Sequence, residues 1–256
     1  MPKHILNKYF DHIYILTIES AADRRKKITQ SLDGVDYTFF YGINKYDIDI
    51  QEWIAKGKYD VKKAVGHSRF NYKMSTGQIA CAEGHKNIYA KIIADEFQKV
   101  LILEDDSILI SAHLQYLSEM IEALPSDWDI FYLDYDMNES NDLFTWTKQQ
   151  FYKMQRLWGG MKFNHKMIDN YFSRPYNKLL RKSGYHYFTN AYAVNEKACR
   201  VLLDLQTPIV FPSDHALAWG ISNELLKGYN AVPKIFEQSS AKDNSKTSMI
   251  FKEFKN

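Results

Sequence analysis

Short apolar runs alternate along the chain with segments whose apolar residues recur every three or four positions, the rhythm of strands and helices laid down in turn. His12-Ile13-Tyr14-Ile15-Leu16-Thr17-Ile18 is almost unbroken in β-branched and apolar residues, which predicts a strand covered on both faces and central in a parallel sheet. Ser20 or Asp23 can cap a following helix with Ile28 and Leu32 at i, i+4, and Tyr37-Thr38-Phe39-Phe40 predicts a second strand, completing a βαβ unit. From Thr76 a helix turns Ile79, Ala82, Tyr89 and Ile93 to one face and leads into Val100-Leu101-Ile102-Leu103, a third strand. Leu114, Leu117, Ile121 and Leu124 mark a helix closed by Pro125, with a strand over 129–133 after it. Residues 185–194 alternate as a strand. Asn195 then caps a helix facing Ala198, Val201, Leu202 and Leu205 inward, Ser213 caps another, and 231–236 is the last predicted strand.

Two stretches break this rhythm. Residues 45–73 are polar, aromatic and aperiodic, an excursion with a short helix around Trp53. Residues 134–184 interleave aromatic and basic side chains without a clear period, an irregular insertion of the length that usually carries function. The expected fold is α/β, an open and mostly parallel Rossmann-like sheet flanked by helices, in one domain over 1–256 with a flexible polar tail at 239–256.

Composition narrows the picture. At 256 residues the chain can bury a three-layer core without disulfide staples. Its two cysteines, Cys81 and Cys199, sit inside amphipathic patterns, as reduced thiols of a cytoplasmic protein do. There is no apolar signal core at Met1-Pro2-Lys3-His4 and no run near the ~20 apolar residues that span a bilayer, so a soluble, unexported chain is expected. A net charge of +2 argues against a dedicated nucleic-acid binder. The charge is uneven, however: between Thr145 and Gly184 there are nine Lys or Arg and one acid, Asp169. Such a surface would suit an anionic partner or peripheral contact with the inner face of a membrane, with Trp146, Trp158, Arg156 and Arg174 as candidates. A flap over the site is the competing reading.

Candidate chemistry centres on Leu103-Glu104-Asp105-Asp106. An apolar run that ends abruptly in three carboxylates predicts a buried strand delivering oxygen ligands to the sheet edge, where a hard divalent cation relieves their repulsion. A solvated acidic turn is the bland alternative. By the general rule for open α/β sheets a nucleotide would lie over the end of the first strand, at Thr17, Ile18 and Glu19, with Arg24 or Arg25 reaching a diphosphate.

Taken together the motifs resemble glycosyltransferase family 25, which includes bacterial lipooligosaccharide galactosyltransferases. The opening strand is followed by Asp23-Arg24-Arg25, and Gly77-Gln78-Ile79-Ala80-Cys81-Ala82-Glu83-Gly84-His85 matches in part the family's Gly-x-Ile-Gly-Cys-x-x-Ser-His. Leu103 to Asp106 matches its Leu-Glu-Asp-Asp fully, and Trp128-Asp129-Ile130, Ala191-Tyr192-Ala193-Val194, Asp214, Pro233 and Gln238 follow in order. Ala80 and Gly84 depart from the pattern, where the family has Gly and Ser.

The resemblance implies a GT-A-type enzyme that uses Mn²⁺ or Mg²⁺ and a UDP-sugar, UDP-galactose as the family-based choice, to glycosylate a cell-surface glycan or glycolipid with inversion. It assigns Asp106 as main metal ligand with Glu104 and Asp105 in support, and His215 as a further ligand; packing near Trp219 is the plainer account of His215. Inversion requires a carboxylate base, for which Asp214 is the candidate and Asp134 and Asp136 the fallbacks, although an acid in a first helical turn also serves the helix dipole. His85 would pack or hydrogen-bond near the nucleotide side. A sugar nucleotidyltransferase would need a Gly-rich loop after the first strand, and 17–25 has no Gly. An aspartyl phosphatase would place its acids there, which Thr17-Ile18-Glu19 does not do. A nucleotide-sugar or glycan-binding protein of the same fold without turnover is the non-enzyme alternative.

Overall fold

A computed structural model describes residues 3–68, 71–139 and 142–239. In chain order its helices are α1 (Ile5–Tyr9), α2 (Ala22–Ser31), α3 (Ile50–Ala55), α4 (Val61–His67), α5 (Thr76–Ala94), α6 (Leu117–Ala123), α7 (Leu143–Leu157), α8 (His165–Asp169), α9 (Glu196–Leu205) and α10 (Ser213–Ser222). Its strands are β1 (His12–Thr17), β2 (Thr38–Tyr41), β3 (Lys99–Glu104), β4 (Ser107–Leu109), β5 (Ile130–Tyr132), β6 (Arg174–Pro175), β7 (Leu180–Lys182), β8 (Ala191–Asn195), β9 (Gly228–Ala231) and β10 (Phe236–Gln238). Eight of them form one sheet in the order β2-β1-β3-β8-β5-β9-β7-β6, and β4 pairs antiparallel with β10.

The pairings β2-β1, β1-β3 and β5-β9 are parallel, and only β8 and β7 run against the rest. The sheet is therefore mostly parallel in direction, as expected, and β1 is parallel to both its neighbours. Strand alternation divides the core between the two faces. Ile13, Ile15, Leu101, Leu103, Phe131 and Ala193 meet Leu6, Ile28, Leu32, Leu117 and Met120 from α1, α2 and α6 on one side. Tyr14, Leu16, Val100, Ile102, Tyr132 and Val194 meet Ile88, Ile92, Leu202 and Leu217 from α5, α9 and α10 on the other. The result is a three-layer α/β fold. A smaller cluster around Trp53, Tyr59, Ile79 and Ile209 anchors α3 and α4, so the described part of the 45–73 excursion holds two α-helices, and a 3-10 turn at Lys45–Asp47, rather than one short helix.

Several local expectations are corrected. Neither Ser20 nor Asp23 caps α2: the N-cap is Ala21, without a side-chain bond, and Asp23 lies in the first turn. Ser213 is the first residue of α10 and not its cap, because its hydroxyl is turned to Thr189 and Cys81. The predicted strand at 185–194 is a strand only from Ala191. Its first half is a loop, and the alternation there comes from Tyr185 and His186 packing into separate clusters. The last predicted strand divides into β9 and β10 around the turn at Pro233. The 134–184 segment is regular over much of its length: α7 carries a capping box at Asp142 and Thr145, and β6-β7 extends the main sheet beside β9. All of the tail except Ser239 lies outside the described residues.

Gly184 and His186 lock this segment to the sheet. A Cβ at Gly184 would lie 2.6 Å from the Tyr171 carbonyl oxygen and 2.7 Å from the Ser173 nitrogen, so only glycine lets the two backbones approach. His186 is fully buried; Nδ1 donates to the Met137 carbonyl at 2.7 Å and Nε2 accepts from Asn230 Nδ2 at 2.7 Å. Burial lowers its pKa from 6.5 to about 4, against the raising effect of the Met137 and Asp136 backbone contacts. The unfolded chain therefore binds this proton more readily, and stability present above pH 6.5 drains away as pH falls toward 4. Urea titrations of wild type and His186→Gln across that window should differ in slope, wild type losing about 3 kcal/mol that the variant does not. Parallel acid dependence would show that the histidine is not held neutral.

Candidate functional site

The parallel register of β1 and β3 sets Leu16 opposite Glu104, so the acids emerge beside the end of β1. The Asp105 backbone N–H donates to the Leu16 carbonyl at 3.1 Å and continues the ladder past the strand ends. Asp105 is then consumed by the fold. Its Oδ2 accepts from Thr17 Oγ1 at 2.6 Å and its Oδ1 from Arg24 Nη1 at 2.7 Å. Arg24, returned by the first turn of α2, also donates Nη2 to Asp106 Oδ2 at 2.5 Å, one guanidinium bridging two buried carboxylates. Arg25 turns the other way, over the Tyr41 ring and onto the backbone carbonyls of Ile18 and Glu19. Thus Thr17 acts through its hydroxyl, while Ile18 and Glu19 contribute backbone to the loop that carries both arginines.

Asp106 is differently placed. Its Oδ2 also accepts from Gln238 Nε2 at 3.2 Å, and its backbone carbonyl accepts from Ser239 N at 2.9 Å, contacts brought in by the β4-β10 pair. Its Oδ1 is buried and has no hydrogen-bond partner among the described residues. Burial and the adjacent Glu104 charge raise the Asp106 carboxyl to about 6, with Arg24 pulling against them. For Glu104 burial acts upward as well, but hydrogen bonding and charge from His85, the Thr189 hydroxyl and Arg24 outweigh it and hold the group below its usual range. Thr189 Oγ1 donates to Glu104 Oε1 at 2.5 Å, and His85 Nε2 lies 3.3 Å from the same oxygen. His85 Nδ1 meets the Tyr192 hydroxyl at 2.7 Å, and Tyr192 meets Tyr89 at 2.8 Å.

The donor set suits a hard cation. An unpartnered, buried carboxylate oxygen on Asp106, with Glu104 alongside, matches the oxygen ligands Mg²⁺ and Mn²⁺ prefer. Asp105 has both oxygens occupied by protein donors, which leaves it a bracing role. Cys81, His85 and Glu104 also bring one ligand atom each within 4.8 Å of one another. Burial and the charge of Glu104 push the Cys81 thiol up, and its sulfur is 3.3 Å from Ser213 Oγ, which joins it through Thr189 to Glu104 and His85 in one hydrogen-bond network.

The later candidates lie on α10. Asp214 Oδ1 accepts from the His215 N–H at 2.9 Å, and Oδ2 from the Phe188 N–H at 3.4 Å. Phe188 has φ +75°, a conformation that is costly for an aromatic residue and clusters at functional loops. His215 Nδ1 is 3.1 Å from the Tyr185 hydroxyl, with its ring edge-on to Tyr185 and Tyr187; among the described residues no hydrogen bond or ion pair joins its side chain to Glu104, Asp105 or Asp106. Asp134 is buried, accepting from Asn190 Nδ2 at 2.7 Å and lying 3.7 Å from Lys234 Nζ, whereas Asp136 forms a β-bridge with Tyr187. The family pattern's Ser is absent at Gly84 for a packing reason. A Cβ there would stand 2.9 Å from Leu16 Cδ1, because the leucine fills that space at the end of β1.

Sequence reasoning misses Thr189 and Asn190, because the alternation over 185–194 predicts a strand where the chain forms a loop. Gln238 was visible only through the family resemblance.

The fold is thus an open, mostly parallel α/β sheet with buried acids at the end of its third strand. The sequence profile described as glycosyltransferase family 25 (LPS biosynthesis protein) matches residues 10–217, and the chain belongs to that family of enzymes. A glycosyltransferase 25 family member of Anopheles gambiae is 24% identical over 253 residues, 91% of this chain and 37% of that one. Procollagen galactosyltransferase 1 of Danio rerio is 23% identical over 140 residues, 52% of this chain and 23% of that one. The chain thus spans well under half the length of these curated relatives. A crystal structure of galactosyltransferase LgtC with donor and acceptor sugar analogs aligns over 84% of this chain and 70% of that one, at 13% identity and a TM-score of 0.34.

The Arg24 bridge sets a stability expectation. Arg24→Met leaves two buried carboxylates without their counter-charge and should cost about 3 kcal/mol at neutral pH in urea unfolding. Arg24→Lys should recover only part of that, because an ammonium cannot span both acids in the planar geometry of a guanidinium.

Proposed function

We propose that the chain transfers a hexose, galactose first among candidates, from a UDP-sugar to a hydroxyl of a glycan or glycolipid, with inversion at the anomeric carbon. The observation that carries this reading is the buried, unpartnered Oδ1 of Asp106 at the strand end of a family 25 chain. A divalent cation, Mn²⁺ or Mg²⁺, held by Asp106 and Glu104 would offset the charge that develops on the departing diphosphate. His85 and Thr189 orient Glu104 and keep it ionised. Arg24 stays committed to Asp105 and Asp106, which fixes where the remaining oxygen of Asp106, Oδ1, points.

In the transfer the acceptor oxygen forms a bond to the sugar C1 while the bond from C1 to the phosphate oxygen breaks, and UDP leaves with that electron pair. Asp214 takes the acceptor's proton. Its support is a position at the start of α10, where the Phe188 and His215 N–H groups hold the carboxylate oriented. His215 then serves by packing against Tyr185 and Tyr187 beside that base.

The test is a panel of UDP-sugars with Mn²⁺, read by donor hydrolysis and by thermal shift. One donor should stabilise the protein and be turned over, and Asp106→Asn should remove both effects. Asp214→Asn should keep the thermal shift but lose about 10²–10⁴-fold in kcat. Turnover at the wild-type rate in chelator would sink the metal assignment. Donor binding without hydrolysis or transfer would leave a sugar-nucleotide-binding protein.

A further inference from the structure

Helix α7 is mounted with its apolar side outward. Its inner face is held largely by polar contacts: Gln149 Nε2 donates to the Ile168 carbonyl at 2.9 Å and Arg156 Nη1 to the Phe163 carbonyl at 2.8 Å, with Tyr152 set edge-on against Tyr171. The outer face carries Leu143, Phe144, Trp146, Phe151, Leu157 and Trp158, all at least half exposed, with Met154 at its middle. At about 100° per residue these positions fill an arc of roughly 160°, in which only Thr147 and Gln150 are polar and none is charged. Lys148 borders the arc on one side and Lys153 on the other. The inner-face contacts and the two glycines at 159–160 leave this surface with no cover among the described residues.

We infer that α7 is a membrane-docking helix that lays this face into the interfacial region of an anionic lipid bilayer. Charge selects the occupant. Lys148 and Lys153 flank the uncharged arc, Lys153 being 2.6 Å from Asp169, and they belong to a segment, 145–184, with nine Lys or Arg and one acid, of which Arg156 and Arg181 are turned to backbone carbonyls and Lys166 pairs with Glu224. A two-fold contact between copies would set these flanking lysines against one another, whereas a bilayer of negative headgroups complements them around an uncharged centre. Trp146 and Trp158 stand about 18 Å apart along the helix axis, as indoles do when they anchor a helix at headgroup depth. No helix among the described residues is long and apolar enough to cross a membrane, so this docking is peripheral.

The placement also joins the bilayer to the chemistry. From Tyr152 the aromatic contacts run through Tyr171 to Tyr185, whose ring is 5.8 Å from that of Tyr171 and whose hydroxyl reaches His215. That a lipid-linked acceptor is thereby presented on the Asp214 side rests on the proposed transferase function; the docking itself does not.

Flotation of the full chain with vesicles tests it. Wild type should float with mixed phosphatidylcholine and phosphatidylglycerol and bind pure phosphatidylcholine more than about tenfold less, with a blue-shifted tryptophan emission on binding. Trp146→Glu combined with Leu157→Glu should abolish flotation while leaving circular dichroism and donor thermal shift unchanged, since both side chains are exposed. Lys148→Glu should weaken it in low salt. Failure of wild type to float, equal flotation by the double variant, or a dimer in analytical ultracentrifugation that the same substitutions dissociate without any vesicle binding would each overturn the proposal. Donor turnover on a soluble acceptor is read separately, so loss of the docking claim and loss of the transferase claim give different results.

Discussion

The site depends on one guanidinium reaching two carboxylates. Three consecutive acids at the end of a buried strand repel one another in a medium that screens poorly, and water is largely excluded from two of them. Arg24 resolves this from outside the strand. The turn after β1 starts α2 so that its first turn comes back over the end of β3, and Arg25 fixes that turn by holding the Ile18 and Glu19 carbonyls. Two adjacent arginines thus have distinct tasks, one shaping the loop and the other using the shape. Asp105, braced by Thr17 and Arg24, acts as the joint between β1, β3 and α2, which leaves its neighbours for other work.

Environment then separates the two remaining acids. Glu104 has a hydroxyl and an imidazole directed at it and stays ionised, while Asp106 is buried against like charge and has an oxygen without a hydrogen-bond partner among the described residues. Such a pair, pushed in opposite directions by its surroundings, is the feature on which the proposed cation site rests. Behind it the polar chain from Tyr89 through Tyr192 and His85 to Glu104, and on through Thr189 to Ser213 and Cys81, ties α5, β8 and α10 to the same carboxylate. The Cys and His of the partial motif in α5 are explained by this network more simply than by metal ligation. Glycine at position 84 belongs to the same packing, since Leu16 occupies the room a serine would need.

What could be read in advance followed from local period. β1, β3, α5 and α9 show their burial directly in the sequence, because each presents a continuous apolar run or a single inward stripe, and the triplet after β3 gained its meaning from the run before it. The failures share a cause as well. Residues 185–190 alternate like a strand, yet the buried positions there answer to the aromatic cluster under α7 and to Asn230, which lie far away in sequence. Gln238 reaches Asp106 only because β10 pairs with β4, a contact for which no local pattern exists. In α7 the helical period was present but concealed. Its apolar positions face outward and its inner face is mixed, so a search for an inward stripe finds noise.

That inversion bears on how the two halves of the molecule divide their labour. The sheet from β2 to β8 holds the acids and the arginines, all within the part of the chain whose motifs match family 25 most fully. The segment from 134 to 184 adds β6 and β7 beyond β9, and its aromatic cluster takes in Ala218 of α10 and leans on Tyr185, next to the residues proposed to handle the acceptor. Gly184 makes that joint close, because its backbone lies against Tyr171 to Ser173 with no room for a side chain, and buried His186 pins the same stretch to Asn230 of β9. A segment so firmly fixed on its inner side cannot turn its outer apolar face inward without breaking the contacts that hold it. The exposed face of α7 is therefore a consequence of how the insertion is fastened, and whatever meets that face meets it beside the start of α10.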